Sequence, residues 1–154
     1  LTAIDTTQKY LNLMNKKANQ NSKKFMYATW SYPDILKNNN SSTPPSKAIE
    51  DKLEKIKPSS DFDILPVGRA FDLFQLRFPN QTLFTSDNKH PNAIGSYLAA
   101  CVIFSKISNE SSVGFPKRVF DKINNEKDIY YFIVEEEMAR KCQLIADEIV
   151  FDSN

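Results

Sequence analysis

Thr85-Ser86-Asp87-Asn88-Lys89-His90-Pro91-Asn92-Ala93-Ile94-Gly95-Ser96-Tyr97-Leu98-Ala99-Ala100 joins a polar, turn-forming loop to the start of an apolar helix. Pro91 suits the first helical position, where a missing amide hydrogen costs nothing, and the apolar run continues through Ile107. Asp87 and His90 stand three residues apart in the loop. A carboxylate at that spacing can accept from one imidazole nitrogen and leave the other open, which is the arrangement of a catalytic base and its orienter. The plainer reading is a chance D-x-x-H with a histidine that serves only as a cap or surface residue. Gly95 costs a helix interior about 1 kcal/mol relative to alanine, so it reads as a close-packing position. With Ala99 it makes a small-residue face on which the helix can approach a sheet and fix His90.

Working outward, residues 5–20 carry Tyr10, Leu11, Leu13, Met14 and Ala18 at the spacing of an amphipathic helix. Residues 25–30 are a compact aromatic and apolar run that fits a buried strand. Residues 37–46, rich in Asn, Ser and Pro, read as a surface loop. A helix capped by Ser46 is expected to run to Lys57 before Pro58, followed by a strand over residues 61–66. Val67, Ala70, Phe71, Phe74 and Phe78 then mark a helix, and residues 83–85 are extended. A closing amphipathic helix is expected over residues 127–150, with Cys142 on the face of Val134, Met138, Ile145 and Ile149 and with Glu135-Glu136-Glu137 solvated. Helices alternating with buried strands give an α/β class, helix-rich, in a single or partial domain over residues 1–154. Two strands are few for some five helices, so part of the sheet is expected upstream, and residues 25–30 would then leave an unpaired edge.

Twenty Lys and Arg against 19 Asp and Glu leave a net charge of +1, which gives no electrostatic warrant for nucleic acid or an anionic membrane surface. Charges interrupt every apolar run well short of the roughly 18 residues a membrane span needs. Two cysteines and one histidine cannot complete a four-ligand structural zinc site, so no metal is expected; Cys101 and Cys142 read as buried thiols. N-x-Ser/Thr sequons begin at Asn39, Asn40, Asn80 and Asn109, against about two expected by chance, and incline the localisation toward secreted or periplasmic.

The segment from Asp87 onward resembles the last block of the SGNH (GDSL-type) esterases and lipases, in which D-x-x-H-P precedes a helix with a G-x-Y-L-A-A pattern. Asp87, His90, Pro91, Gly95, Tyr97, Leu98, Ala99 and Ala100 match it. Pro66-Val67-Gly68-Arg69-Ala70-Phe71 is similar to a segment preceding this block in some branches, and residues 25–30 resemble the earlier strand ending in Thr29-Trp30. The likeness spans residues 5–150 and corresponds to the C-terminal half of a family member. It implies a flavodoxin-like α/β/α sandwich, a Ser-His-Asp triad to which this chain gives His90 and Asp87, no cofactor, and ester substrates in carbohydrates or lipids. The G-D-S block, the G-x-N-D block and the oxyanion-hole glycine lie upstream in the family and have no counterpart here, so the upstream half of the same protein is the expected partner. Trp30, Gly68 and Arg69 sit where strand ends of an open α/β sheet face a ligand crevice and are the candidate substrate-binding residues. Their plainer roles are a core aromatic, a turn and a surface cation. The alternative function is a noncatalytic binding or interaction domain that retains part of the fold.

Overall fold

The computed structural model describes residues 3–37, 43–58, 61–123 and 127–152. Its organising element is a parallel pair, β1 (Lys24–Tyr27) and β2 (Phe62–Leu65), in register Lys24↔Phe62 through Tyr27↔Leu65. Parallel neighbours need a crossover, supplied here by α2 (Pro33–Lys37) and α3 (Pro45–Ile56), with α1 (Ala3–Lys17) before β1. The pleat sends alternate side chains to opposite faces. Met26, Phe62 and Ile64 are buried in one cluster with Ala28 and Ile56, against which Leu11 of α1 and Leu53 of α3 pack. Leu65 and Phe25 belong to a larger cluster built from α4 (Val67–Arg77), α5 (Ala93–Ser108) and α6 (Glu136–Phe151). The sheet therefore divides two apolar cores, and the class is mixed α/β.

α5 is apolar nearly all round because α4, α6 and β2 all pack on it. Phe71, Phe74 and Leu98 have no exposed surface, and each such burial stabilises by about 1.5–3 kcal/mol. Arg77 Nη1 and Nη2 donate to Glu148 at 2.6 and 2.7 Å, tying the end of α4 to α6. Asp147 accepts from Ser105 Oγ, Ser111 Oγ and the Ser112 amide, which fastens the loop after α5 to α6.

Four expectations are corrected. Residues 127–150 are not one helix: β3 (Arg118–Ile123) pairs antiparallel with β4 (Lys127–Ile133), and α6 begins only at Glu136. The β-branched and aromatic residues from Ile129 to Ile133 favour a strand, while Glu136 and Glu137 suit the positive end of a helix. Ser46 does not cap α3; Pro44 holds that position, and Ser46 lies buried, its hydroxyl accepting from the Ser31 amide and donating to Asp72 Oδ1 at 3.0 Å. The 37–46 loop is shortened at both ends, since Lys37 closes α2 and Pro45 opens α3; residues 38–42, with the sequons at Asn39 and Asn40, lie outside the described residues. Pro91 precedes α5 in an isolated bridge with Phe84, and Asn92 is the cap, its side chain accepting from the Gly95 amide at 3.0 Å.

Two strands became four among the described residues, in two separate two-stranded sheets. The β3–β4 hairpin leaves Phe120, Tyr130, Tyr131 and Ile133 exposed, with Tyr131 unpaired at a bulge opposite Val119 and Phe120. A lone two-stranded hairpin is marginal in water and should open before the packed core does. Brief chymotrypsin treatment is therefore expected to cut after Phe120, Tyr130 or Tyr131 before any bond in α4 or α5, as mass spectrometry of the fragments would show. First cuts inside α4 or α5 would contradict this ordering.

Candidate active site

The ladder of the parallel pair continues past its strands: the Ala28 amide donates to Leu65 O at 3.0 Å, and the Gly68 amide donates to Ala28 O at 2.9 Å. The carboxyl ends of β1 and β2 and the start of α4 thus meet at one place. Gly68 makes that meeting possible, since a β-carbon there would lie 2.2 Å from Thr29 O. From this edge Trp30 reaches the loop between α4 and α5, its indole Nε1 donating to Lys89 O at 3.1 Å. The indole stacks on Phe71 with centroids 4.8 Å apart, and Phe71 meets Phe84 edge-on at 5.8 Å.

The loop is closed by its own backbone. The Thr85 amide donates to His90 O at 2.9 Å, the Asn88 amide donates to Thr85 O at 3.0 Å, and Asn88 takes the left-handed conformation that Asn tolerates. Asn92 Nδ2 donates to Thr82 O, and its amide to Leu83 O at 2.8 Å, so α5 begins against the chain that precedes the loop. Gly95 is required at this approach: a β-carbon would stand 2.3 Å from Leu83 O. Its role is close packing, as its helical position implied.

Asp87 Oδ2 lies 2.5 Å from His90 Nδ1, the contact expected from the three-residue spacing. Asp87 Oδ1 accepts from Thr85 Oγ1 at 2.7 Å, the Lys89 amide at 2.9 Å and the His90 amide at 3.0 Å. Both oxygens are thus committed, and the carboxylate is fixed in orientation. A neutral His90 that donates through Nδ1 carries its lone pair on Nε2, and its side chain is 78% exposed. The pair can therefore take a proton from an external donor and stabilise the resulting imidazolium.

The His90 side chain, then the Lys89 amide, the Thr85 hydroxyl and the His90 amide hold the Asp87 carboxyl well below the usual carboxylate range. A depressed folded pKa means that the charged carboxylate favours the folded loop above the unfolded value near 3.9, and that this contribution is lost as pH falls through the lower folded midpoint. Titration of the Asp87 carboxyl carbon by NMR should give a midpoint below about 3.9, and Thr85→Val, which removes one donor to the charged form, should raise it. A wild-type midpoint at or above the ordinary value would contradict the geometry.

The other candidates are placed differently. Arg69 Nε is 2.6 Å from Glu50 Oε2, an ion pair that joins α4 to α3. Gly68 contributes a backbone approach, with Thr29 O and Ser46 Cβ where its side chain would be. Trp30 is tied to the Asp87–His90 loop through its indole hydrogen bond to Lys89 O. Cys101 and Cys142 are buried, and burial pushes their thiols up to about 11 and about 12, which leaves them unreactive near neutrality. The sequons at Asn80 and Asn109 are exposed. Among the described residues no three His, Cys, Asp or Glu side chains form a metal-binding group, and no helix is long and apolar enough to cross a membrane. Thr85 was missed as a site residue; a threonine two positions before an aspartate in a turn is the signal that could have marked it. No family model matches the chain, and comparison with curated proteins and with solved structures gives no match.

Proposed function

We propose that this chain carries the base and orienter of an SGNH-type serine hydrolase acting on ester bonds in carbohydrates or lipids. The observation that carries the reading is the 2.5 Å Asp87–His90 contact in the loop that opens onto α5, with Nε2 of an exposed imidazole left for a partner. The layering of helices on both faces of a parallel pair is compatible with a flavodoxin-like sandwich completed by strands upstream. In this mechanism a serine from that upstream part attacks the acyl carbon, and its hydroxyl proton passes to His90 Nε2. Asp87 stabilises the imidazolium through Nδ1–H. The proton then goes to the departing alcohol oxygen, and water, deprotonated by the same nitrogen, releases the acid and the serine.

The test is turnover of an aryl acetate and of an acetylated sugar by the product of the complete gene, in wild type and Asp87→Asn. Turnover that collapses in Asp87→Asn with folding intact supports the proposal. A folded product with no turnover, or an Asp87→Asn variant of undiminished rate, refutes it. The exposed Phe120, Tyr130 and Tyr131 of the hairpin favour a second, noncatalytic reading as an interaction domain; that reading gains if the folded product hydrolyses neither ester.

A further inference from the structure

We infer that Trp30 is the positioning residue for His90, acting through the carbonyl of Lys89. Three observations meet here. The indole Nε1 donates to Lys89 O at 3.1 Å across 59 positions of sequence, which anchors the loop to the carboxyl end of β1. The indole is itself fixed, stacked at 13° on a Phe71 with no exposed surface and met edge-on by Tyr27 at 6.3 Å. Lys89 lies between the two members of the pair, and its amide donates to Asp87 Oδ1. The peptide units flanking Lys89 are therefore held on one side by the Asp87 carboxylate and on the other by the indole.

Among the described residues, the remaining hydrogen bonds of the loop are internal, running between Thr85, Asp87, Asn88 and His90. They shape the turn without fixing it to the sheet. The Phe84–Pro91 bridge and Asn92 secure the ends of the loop, and the indole secures its middle. Deprived of that donor, the segment 87–90 keeps its composition and its turn but gains freedom, and the Asp87–His90 contact forms for less of the time. The catalytic meaning of this inference rests on the hydrolase proposal; the structural coupling does not.

The chain contains one Trp and one His, so both can be addressed without ambiguity. Replacing Trp by β-(3-benzothienyl)alanine during expression exchanges the indole N–H for sulfur at position 30 alone and keeps the ring stack. Trp30→Phe is the encoded counterpart. Two quantities are read by NMR on the full chain: hydrogen exchange at the Lys89 and His90 amides, and the protonated nitrogen of the neutral imidazole. Loss of one net hydrogen bond should speed exchange at Lys89 and His90 about fivefold and shift the ring away from its Nδ1–H form, while the Ala28 and Gly68 amides keep their protection. Unchanged exchange and tautomer would overturn the inference, as would an equal loss of protection at Ala28 and Gly68, which would make Trp30 a core aromatic only. Where the complete product turns over esters, Trp30→Phe should lower kcat with KM nearly constant. If the loop loosens as expected and no ester is hydrolysed, the hydrolase proposal fails and the positioning role stands.

Discussion

Replacing His90 with alanine is expected to lower ester hydrolysis by the product of the complete gene by about four orders of magnitude, with kcat carrying the loss. The estimate follows from the role assigned to Nε2: without it the serine has no acceptor for its proton and the leaving alcohol has no donor. Stability should hardly change. The His90 side chain is 78% exposed and pairs with Asp87 at the surface, so the unfolding free energy should move by no more than about 0.5 kcal/mol. Steady-state kinetics and urea denaturation on the same preparations check both halves. A variant that loses stability and activity together would place His90 among structural residues instead.

Gly68→Ala should act in the opposite way, through the fold. The added β-carbon would stand 2.2 Å from Thr29 O, 2.9 Å from Thr29 C and 2.8 Å from Ser46 Cβ. Two of those atoms are backbone at the carboxyl end of β1, and Ser46 is held by the Ser31 amide and Asp72, so no neighbour can swing aside. α4 would have to move off the sheet, breaking the Gly68 amide bond to Ala28 O. The expected cost is about 3 kcal/mol, the upper part of the range for overpacking. For a chain of this size that lowers the melting midpoint by about 8 °C. A midpoint within a degree of wild type would show that the α4 approach is looser than the distances indicate.

The parts of the fold legible in the sequence are those whose signals are local. Residues 62–65 show their strand because Phe62 and Ile64 alternate with Asp63 before Pro66. α4 and α5 show themselves through Phe71, Phe74 and the run from Leu98 to Phe104, and the Asp87–His90 contact through its short spacing. The hairpin was not legible as such, because Val134, Met138 and Ile145 continue at helical spacing from Ile129 to Ile133, and over so few residues the two periods cannot be separated. Ser46 reads as a cap because serine commonly caps; its hydroxyl's acceptor, Asp72, lies 26 residues away and only the packing of α3 on α4 brings them together. The same holds for Trp30 and Lys89. Long-range hydrogen bonds leave no periodic trace, so the Trp30–Lys89 tie is hidden in the sequence where the Asp87–His90 contact is visible.

The proposal that His90 is the base of a serine hydrolase is tested most directly by covalent capture of the nucleophile. The product of the complete gene, treated with a fluorophosphonate and analysed by intact mass and peptide mapping, should gain one phosphonyl group on a single serine upstream of these 154 residues. His90→Ala, folded to the same extent, should react at least about a hundredfold more slowly, because general-base activation is lost. No adduct on the folded wild-type protein, or labelling that proceeds undiminished in His90→Ala, would contradict the account.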